Sequence, residues 1–414
     1  MPTRACATES LYAYGSDVPK DTDLVMNIVT RTPDLVSACD RLKNVDYITV
    51  DTEFIRDNSY WPQVCLIQVA SKDEAIAIDP LSQALELEPF LDLMRNSGVL
   101  KVFHAARQDI EIFFHLGEAI PTPLFDTQLA AMVCGFGDSV GYDTLVQRLL
   151  GHAIDKSSRL SDWSRRPLTE RQINYAIDDV VHLRDVYDEL NARVQESGRE
   201  QWLAEELAVL TNPKTYINSP QDAWRRIKMR STKPRHVAIL REVAAWRERQ
   251  AQSRNLPRNR VLRDEALSEI AAHPPQKPAD LKHLRNFPKG LATQSDGKDI
   301  IEIVSAVMKV PNEELPKPEN KPRPTKSKGP VVDLLKVLLK AKCEEHGVAQ
   351  KLVASVDDLE RIAADGDLEI APLLGWRHEV FGEDALKLRR GELALAADTQ
   401  GIRLILTDKS SKAG

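Results

Sequence analysis

The alternation of apolar and polar positions divides the chain into a β-rich front and a long helical remainder. Between residues 47 and 80, three short runs rich in β-branched and other apolar residues, "YITVDTEF", "VCLIQVA" and "EAIAIDP", are separated by the turn-prone stretches "RDNSYWP" and "SKDE". That pattern predicts three strands. The period then lengthens: "LEPFLDLMRN" reads as a helix, "VLKVFHA" as a buried strand and "RQDIEIFFHLG" as a helix ending at Gly117. Further helices are predicted around 126–134 and 141–150. "RPLTERQINYAIDDVVHLRDVYDELNARV" reads as one long helix, preceded by Pro167 and opened by a capping box of Thr169 with Gln172. Antiparallel strands followed by alternating helix and strand predict an α/β domain with a mixed sheet flanked by helices.

From about residue 211 the strand signals vanish. Residues 221–312 read as several short amphipathic helices broken by "NLPRN", "HPPQKP" and "NFPKG". "VPNEELPKPENKPRPTKSKGP", residues 310–330, carries six prolines among charged residues and reads as a semi-extended linker. Residues 331–409 return to a mostly helical pattern, with "GIRLILTD" as a short strand. Residues 1–25 are polar with little periodicity and read as a disordered tail, so Met26 is an alternative start of translation. The expected organisation is a tail (1–25), an α/β domain (26–210), a helical domain (211–312), a Pro/Lys-rich linker (313–330) and a second helical domain (331–414).

Length and composition narrow the picture. At 414 residues the chain is long enough for two or three domains. No apolar run approaches the length of a membrane span, and the N-terminus lacks the apolar core of a secretory signal. The five cysteines are scattered without a C-x-x-C pair, which points to reduced thiols in a cytoplasm and away from a disulfide framework or zinc site. Charge is segregated: residues 221–263 hold thirteen basic and three acidic side chains in a chain whose net charge is -6. A basic block on an acidic protein suggests a polyanionic partner.

The candidate chemistry starts at Asp51 and Glu53. Residues i and i+2 of a strand share a face, so both carboxylates project to the same side at the end of a core strand. Buried together they repel, and a hard divalent cation relieves that repulsion. In "VFHAARQD", Asp109 falls in the first turn of a helix that follows a buried strand, where an acid also favours the helix dipole. His104, at the strand end, reads as a packed, hydrogen-bonded histidine. In "YAIDD", Tyr175 and Asp179 lie four apart and share a helix face. Asp178 points about 100° away from Asp179, and Asp126 reads as an N-cap for "TQLAAMV".

Taken together, "VDTEF", "HAARQD" and "YAIDD" resemble, in order and spacing, the three exonuclease motifs of the DEDD superfamily, and "YWPQVCLIQVA", "FDTQLAA" and "DWSRRPLTERQINYAIDDVVHL" are similar to the ribonuclease D family in particular. The resemblance implies a ribonuclease H-like α/β fold and four acidic ligands, Asp51, Glu53, Asp109 and Asp179, for two divalent ions, Mg²⁺ or Mn²⁺. It also implies the tyrosine branch. The histidine position of the other branch, five residues before the last Asp, is Asn174 here, and Tyr175 stands where the tyrosine is expected to orient the attacking water. "HVAILREVAAWRERQAQSRNLPRNRVLRDEALSEIAAHPPQKPADL" resembles an HRDC domain, in which Trp246 reads as core and Arg225, Arg226, Arg230, Arg254, Arg258 and Arg260 are candidate phosphate contacts. Residues 331–409 look like a second, more divergent HRDC-like unit.

The implied activity is 3′–5′ exoribonuclease, releasing 5′-mononucleotides and trimming 3′ extensions of tRNA precursors and other structured RNAs. The protein is expected to be a cytoplasmic monomer with no membrane and no obligatory protein partner. A DNA exonuclease of Werner type and an inactive nucleic-acid-binding scaffold are the competing readings. The chain carries no G-x-x-x-x-G-K-[ST] helicase loop, and all four acids and Tyr175 are present.

Overall fold

Residues 47–55 form the strand that carries the paired carboxylates, and the domain is built around it. The structure, a computed structural model, describes residues 25–228, 233–316, 329–364, 369–399 and 401–407. The expected N-terminal tail up to residue 24, most of the expected linker and Arg230 lie outside the described residues.

Six strands make one sheet: β1 (Val25–Val29), β2 (Tyr47–Ile55), β3 (Gln63–Ala70), β4 (Glu74–Ile78), β5 (Leu100–Phe103) and β6 (Leu124–Asp126). Their spatial order is β1-β4-β3-β2-β5-β6. β3 and β4 are antiparallel, whereas β1–β4, β2–β5 and β5–β6 are parallel, so the sheet is mixed as the sequence predicts. β3 is buried on both faces from Val64 to Ala70, which is why it reads as a continuous apolar run without alternation. The sequence pattern does not announce β1 and β6. They are five and three residues long, and β6 is too short to show a period. Both depend on parallel partners distant in sequence.

The helices of this domain are α1 (Thr32–Leu42), α2 (Glu88–Arg95), α3 (Arg107–Gly117), α4 (Thr127–Val133), α5 (Tyr142–Leu150), α6 (Glu170–Glu196) and α7 (Glu200–Leu210). The predicted capping box opens α6: the Thr169 hydroxyl accepts from the Gln172 backbone, and Gln172 Oε1 accepts from the Thr169 N–H at 3.1 Å. Asp126 is the N-cap of α4, accepting from the Gln128 and Leu129 N–H groups. Two buried polar side chains lock the layers. Thr49 Oγ1 of β2 donates to the Val180 carbonyl of α6 at 2.7 Å. Lys101 of β5 is fully buried and donates to the carbonyls of Asn96, Val99 and Thr122 at 2.5–2.9 Å. Its burial lowers the ammonium pKa to about 8.

The described residues fall into two compact units, one drawn from Met1–Glu53, Cys65–Thr215 and Pro322–Gly414, the other from Phe54–Val64 and Tyr216–Lys321. In the first, the helix Gly329–His346 places Leu335 and Leu338 in the same core as Ala130, Leu183 and Val186. Arg199 Nη1 donates to the carbonyls of Val133 and Gly347, and Trp202 stacks on Trp376 with centroids 4.3 Å apart. An antiparallel hairpin, Leu393–Asp398 with Gly401–Leu406, follows the C-terminal helices, and its second strand is the predicted one.

The second unit is helical and centres on α8 (Pro234–Ser253). At 20 residues, α8 is longer than the short helices predicted, because no breaker interrupts the run after Pro234. Tyr60, from the segment after β2, is part of this unit's core. Among the described residues no helix is long and apolar enough to cross a membrane.

Candidate active site

Carboxylates from two elements meet at the end of β2. Ligand oxygens of Asp51 and Glu53 on β2 and Asp179 on α6 lie within 4.8 Å of one another. Strand periodicity supplies the first two, and the Thr49–Val180 hydrogen bond holds α6 against β2 one residue from Asp179. Asp109, in the first turn of α3, is buried and stands apart from that trio: its Oδ1 accepts from Thr52 Oγ1 at 2.5 Å. Its charge nevertheless acts on Glu53, and that of Asp51 acts on it. Tyr175 lies one helical turn before Asp179 and lines the same cleft, with its ring centroid 6.1 Å from that of buried Trp163.

The electrostatics reflect like charges taken out of water. Burial, then the charges of Asp51, Asp179 and Asp109, push the Glu53 carboxyl up to about 9, and Arg159 opposes the rise. Burial raises Asp51 to about 6, against the Thr52 backbone N–H. Burial and the Asp51 charge raise Asp109 and Asp179 well above the usual carboxylate range, opposed by the Thr52 and Tyr175 hydroxyls respectively. The Tyr175 phenol is also raised, by burial and by the charges of Asp179 and Glu53. A set of carboxylate oxygens with no nitrogen or sulfur donor, each disfavoured as an anion, suits a hard divalent cation such as Mg²⁺ or Mn²⁺.

Two contributors escape the sequence reading. Thr52, between the paired acids, is the partner of Asp109. Tyr142 donates from its hydroxyl to the Asp179 carbonyl at 2.6 Å and lines the cleft. Strand alternation separates Thr52 from Asp51 and Glu53, but no local signal joins Tyr142 to a residue 37 positions later. His104 is packed as expected, its Nδ1 3.0 Å from Thr127 Oγ1. The cleft has a volume of about 310 Å³.

The second unit has its own basic cleft, of about 1200 Å³, lined by Arg226, Arg258, Arg260, Arg263 and Arg285 among others. Of the arginines singled out in the sequence, Arg254 is paired bidentately with Asp296 at 2.6 and 2.8 Å. Arg258 is paired with Glu248 at 2.6 Å, and Arg225 with Asp222 at 3.2 Å. Arg226 donates to Asn218 Oδ1 at 3.0 Å, and Arg260 is exposed on the cleft. The Tyr60 hydroxyl donates to Glu248, and Arg258 Nη2 donates to that hydroxyl at 2.8 Å. Trp246 is core, as expected, with its Nε1 donating to Asp299 at 3.2 Å.

Residues 26–195 match the 3′–5′ exonuclease family model, and residues 236–304 match the HRDC domain model. The chain is 52% identical over 373 residues to a ribonuclease D from Nitrobacter hamburgensis, spanning 90% of this chain and 97% of the relative. It is 47% identical over 372 residues to one from Bartonella henselae, spanning 89% and 91%. Among solved structures it resembles Escherichia coli RNase D, an exoribonuclease involved in structured RNA processing. That match has a TM-score of 0.76 at 28% identity and covers 88% of this chain and 98% of that one. The catalytic core of RRP6 from Trypanosoma brucei shares the fold, with a TM-score of 0.52 at 20% identity over 69% of this chain and 80% of that one.

Proposed function

Because the chain belongs to the ribonuclease D family of 3′–5′ exoribonucleases, we propose that it trims the 3′ extensions of tRNA precursors and other structured RNAs, releasing 5′-mononucleotides. The observation that carries the reading is the convergence of Asp51, Glu53 and Asp179, with Tyr175 lining the same cleft as Asp51 and Asp179. Asp51, Glu53, Asp109 and Asp179 are the residues that would hold two Mg²⁺ or Mn²⁺ ions, whose positive charge would favour ionisation of a water and offset the charge developing on the phosphodiester and leaving 3′ oxygen. Thr52 holds Asp109 by a hydrogen bond, and Tyr142 fixes the α6 backbone at Asp179. Tyr175, its pKa raised, keeps its proton at neutral pH and serves to orient the attacking water by hydrogen bonding, not to act as the base.

The basic cleft of the helical unit supports a grip on the RNA backbone that positions without reading sequence. Exposed Arg226 and Arg260, with Arg263 and Arg285, are its available contacts, whereas Arg254 and Arg258 spend their charge on Asp296 and Glu248 inside the unit. Such a grip on a folded stem would stop digestion near the base of that stem.

The test uses a 5′-labelled tRNA precursor with a 3′ extension beside a matched single-stranded DNA. Wild type and Asp51→Asn are compared with Mg²⁺, Mn²⁺ and chelator. Stepwise shortening of the RNA that stalls near the mature end, and is lost in the variant and in chelator, is the expected result. Faster shortening of DNA would assign the chain to DNA 3′ ends. Binding without cation-dependent shortening would leave only a scaffold.

A further inference from the structure

The cleft that holds Asp51, Tyr175 and Asp179 has a basic wall contributed by the segment between α5 and α6. Residues 151–169 contain no helix or strand, yet hydrogen bonds fix the segment at several points. Ser161 Oγ donates to the Ser158 carbonyl at 2.6 Å and accepts from Gln172 of the α6 capping box at 3.2 Å. Ser158 and Trp163 are buried. Arg166 closes the segment with two hydrogen bonds to Asp79, at 2.6 and 2.7 Å, and one to the Cys65 carbonyl at 2.7 Å.

Between the anchors at Ser158 and Ser161 stand only Arg159 and Leu160, and Leu160 is 95% exposed. Arg159 is exposed, lines the cleft, and is near enough for its charge to act on both Glu53 and Asp179. The other cation on this wall, Lys156, is committed to Asp143 at 2.5 Å. Among the described residues Arg159 has no such carboxylate partner. A guanidinium presented between two anchored turns, in a cleft that also carries Asp51 and Asp179, has five donors matched to a phosphate and, among the described residues, no carboxylate that pairs with it.

We propose that Arg159 contacts substrate directly, donating to a non-bridging oxygen of the phosphodiester that is cleaved. The inference rests on the exonuclease reading of the cleft. The contact adds positive charge where negative charge grows during hydrolysis, so its loss falls on kcat more than on KM.

The experiment measures steady-state hydrolysis of a short single-stranded RNA with Mg²⁺ by wild type, Arg159→Ala and Arg159→Lys. Arg159→Ala is expected to lower kcat on the order of 10- to 100-fold, the size of a lost hydrogen bond to a charged group. KM and melting temperature stay near wild type, Arg159→Lys is intermediate, and added guanidinium ion restores part of the lost rate to the alanine variant only. Wild-type kcat in Arg159→Ala overturns the inference. So does a loss confined to KM, or a loss that comes with a lowered melting temperature and no rescue. A wild-type chain without cation-dependent shortening would overturn the exonuclease reading itself, whereas an active wild type with an equally active alanine variant overturns only the role of Arg159.

Discussion

Replacing Asp51 by Asn tests whether the carboxylates form a cation site held together against their own charge. Oxygens of Asp51, Glu53 and Asp179 lie within 4.8 Å of one another. Two unit charges at that separation repel by about 3.5 kcal/mol at an effective dielectric of about 20. Without a cation the whole repulsion is not realised at neutral pH, because Glu53, pushed up to about 9, keeps its proton there. The charge Asp51 still meets is that of Asp179, whose ionised form is itself disfavoured by burial and by the Asp51 charge. The relief from Asp51→Asn is therefore a fraction of one pair, about 1–2 kcal/mol. That corresponds to a rise of roughly 2–8 °C in the melting temperature of the unit. Thermal unfolding followed by circular dichroism, in chelator and in saturating Mg²⁺ or Mn²⁺, reads both halves of the claim. Wild type should gain stability on adding the cation. The variant should start higher in chelator and gain little. A variant that melts below wild type in chelator, or that gains as much from the cation, would refute the reasoning.

Four further outcomes follow from the same structure. Glu53 has a folded pKa near 9 against an ordinary 4.5, so the native state binds more protons between those values; the stability it contributes is full below about 4.5 and declines as pH rises towards about 9, and melting curves in chelator should show that decline while added cation flattens it. Tyr175→Phe should lower kcat by about 10²-fold or more with KM and the cation-induced melting shift retained, measured on the same short RNA. Arg258→Ala leaves the Glu248 carboxylate, whose side chain is 1% exposed, without its cation; it should cost about 3 kcal/mol in denaturant unfolding of the helical unit, and Tyr60→Phe less, because it removes one hydrogen bond and no charge. Gly135→Ala places a Cβ 2.6 Å from the Gly347 carbonyl at a backbone φ of +77°, so it should loosen the C-terminal segment, seen as earlier cleavage there in limited proteolysis at unchanged α6 helicity.

The elements of the candidate site were legible because their signals are local. A period of two placed Asp51 and Glu53 on one face, and a spacing of four placed Tyr175 and Asp179 on another. Thr169 with Gln172 marked where the long helix begins, and Asp126 was recognisable as a cap from its position before "TQLAAMV". The short strands β1 and β6 left no comparable trace, since what makes them strands is a hydrogen-bonded neighbour far away in the chain.

By itself the sequence determined the strands β2 to β5 and the helices α2 to α6 of the exonuclease domain, and which acids and tyrosine lie together on each element. Both follow from backbone geometry over a few residues. Only the tertiary structure decided that three of the four acids converge within 4.8 Å while Asp109 is held by Thr52. It also decided that Arg254 and Arg258 are neutralised inside their own unit while Arg159 faces the cleft, and that the helix Gly329–His346 completes the core beside α4 and α6. Those outcomes depend on which charges meet across distant elements. A side chain's type fixes the charge it carries, but only the fold fixes the neighbour that cancels it.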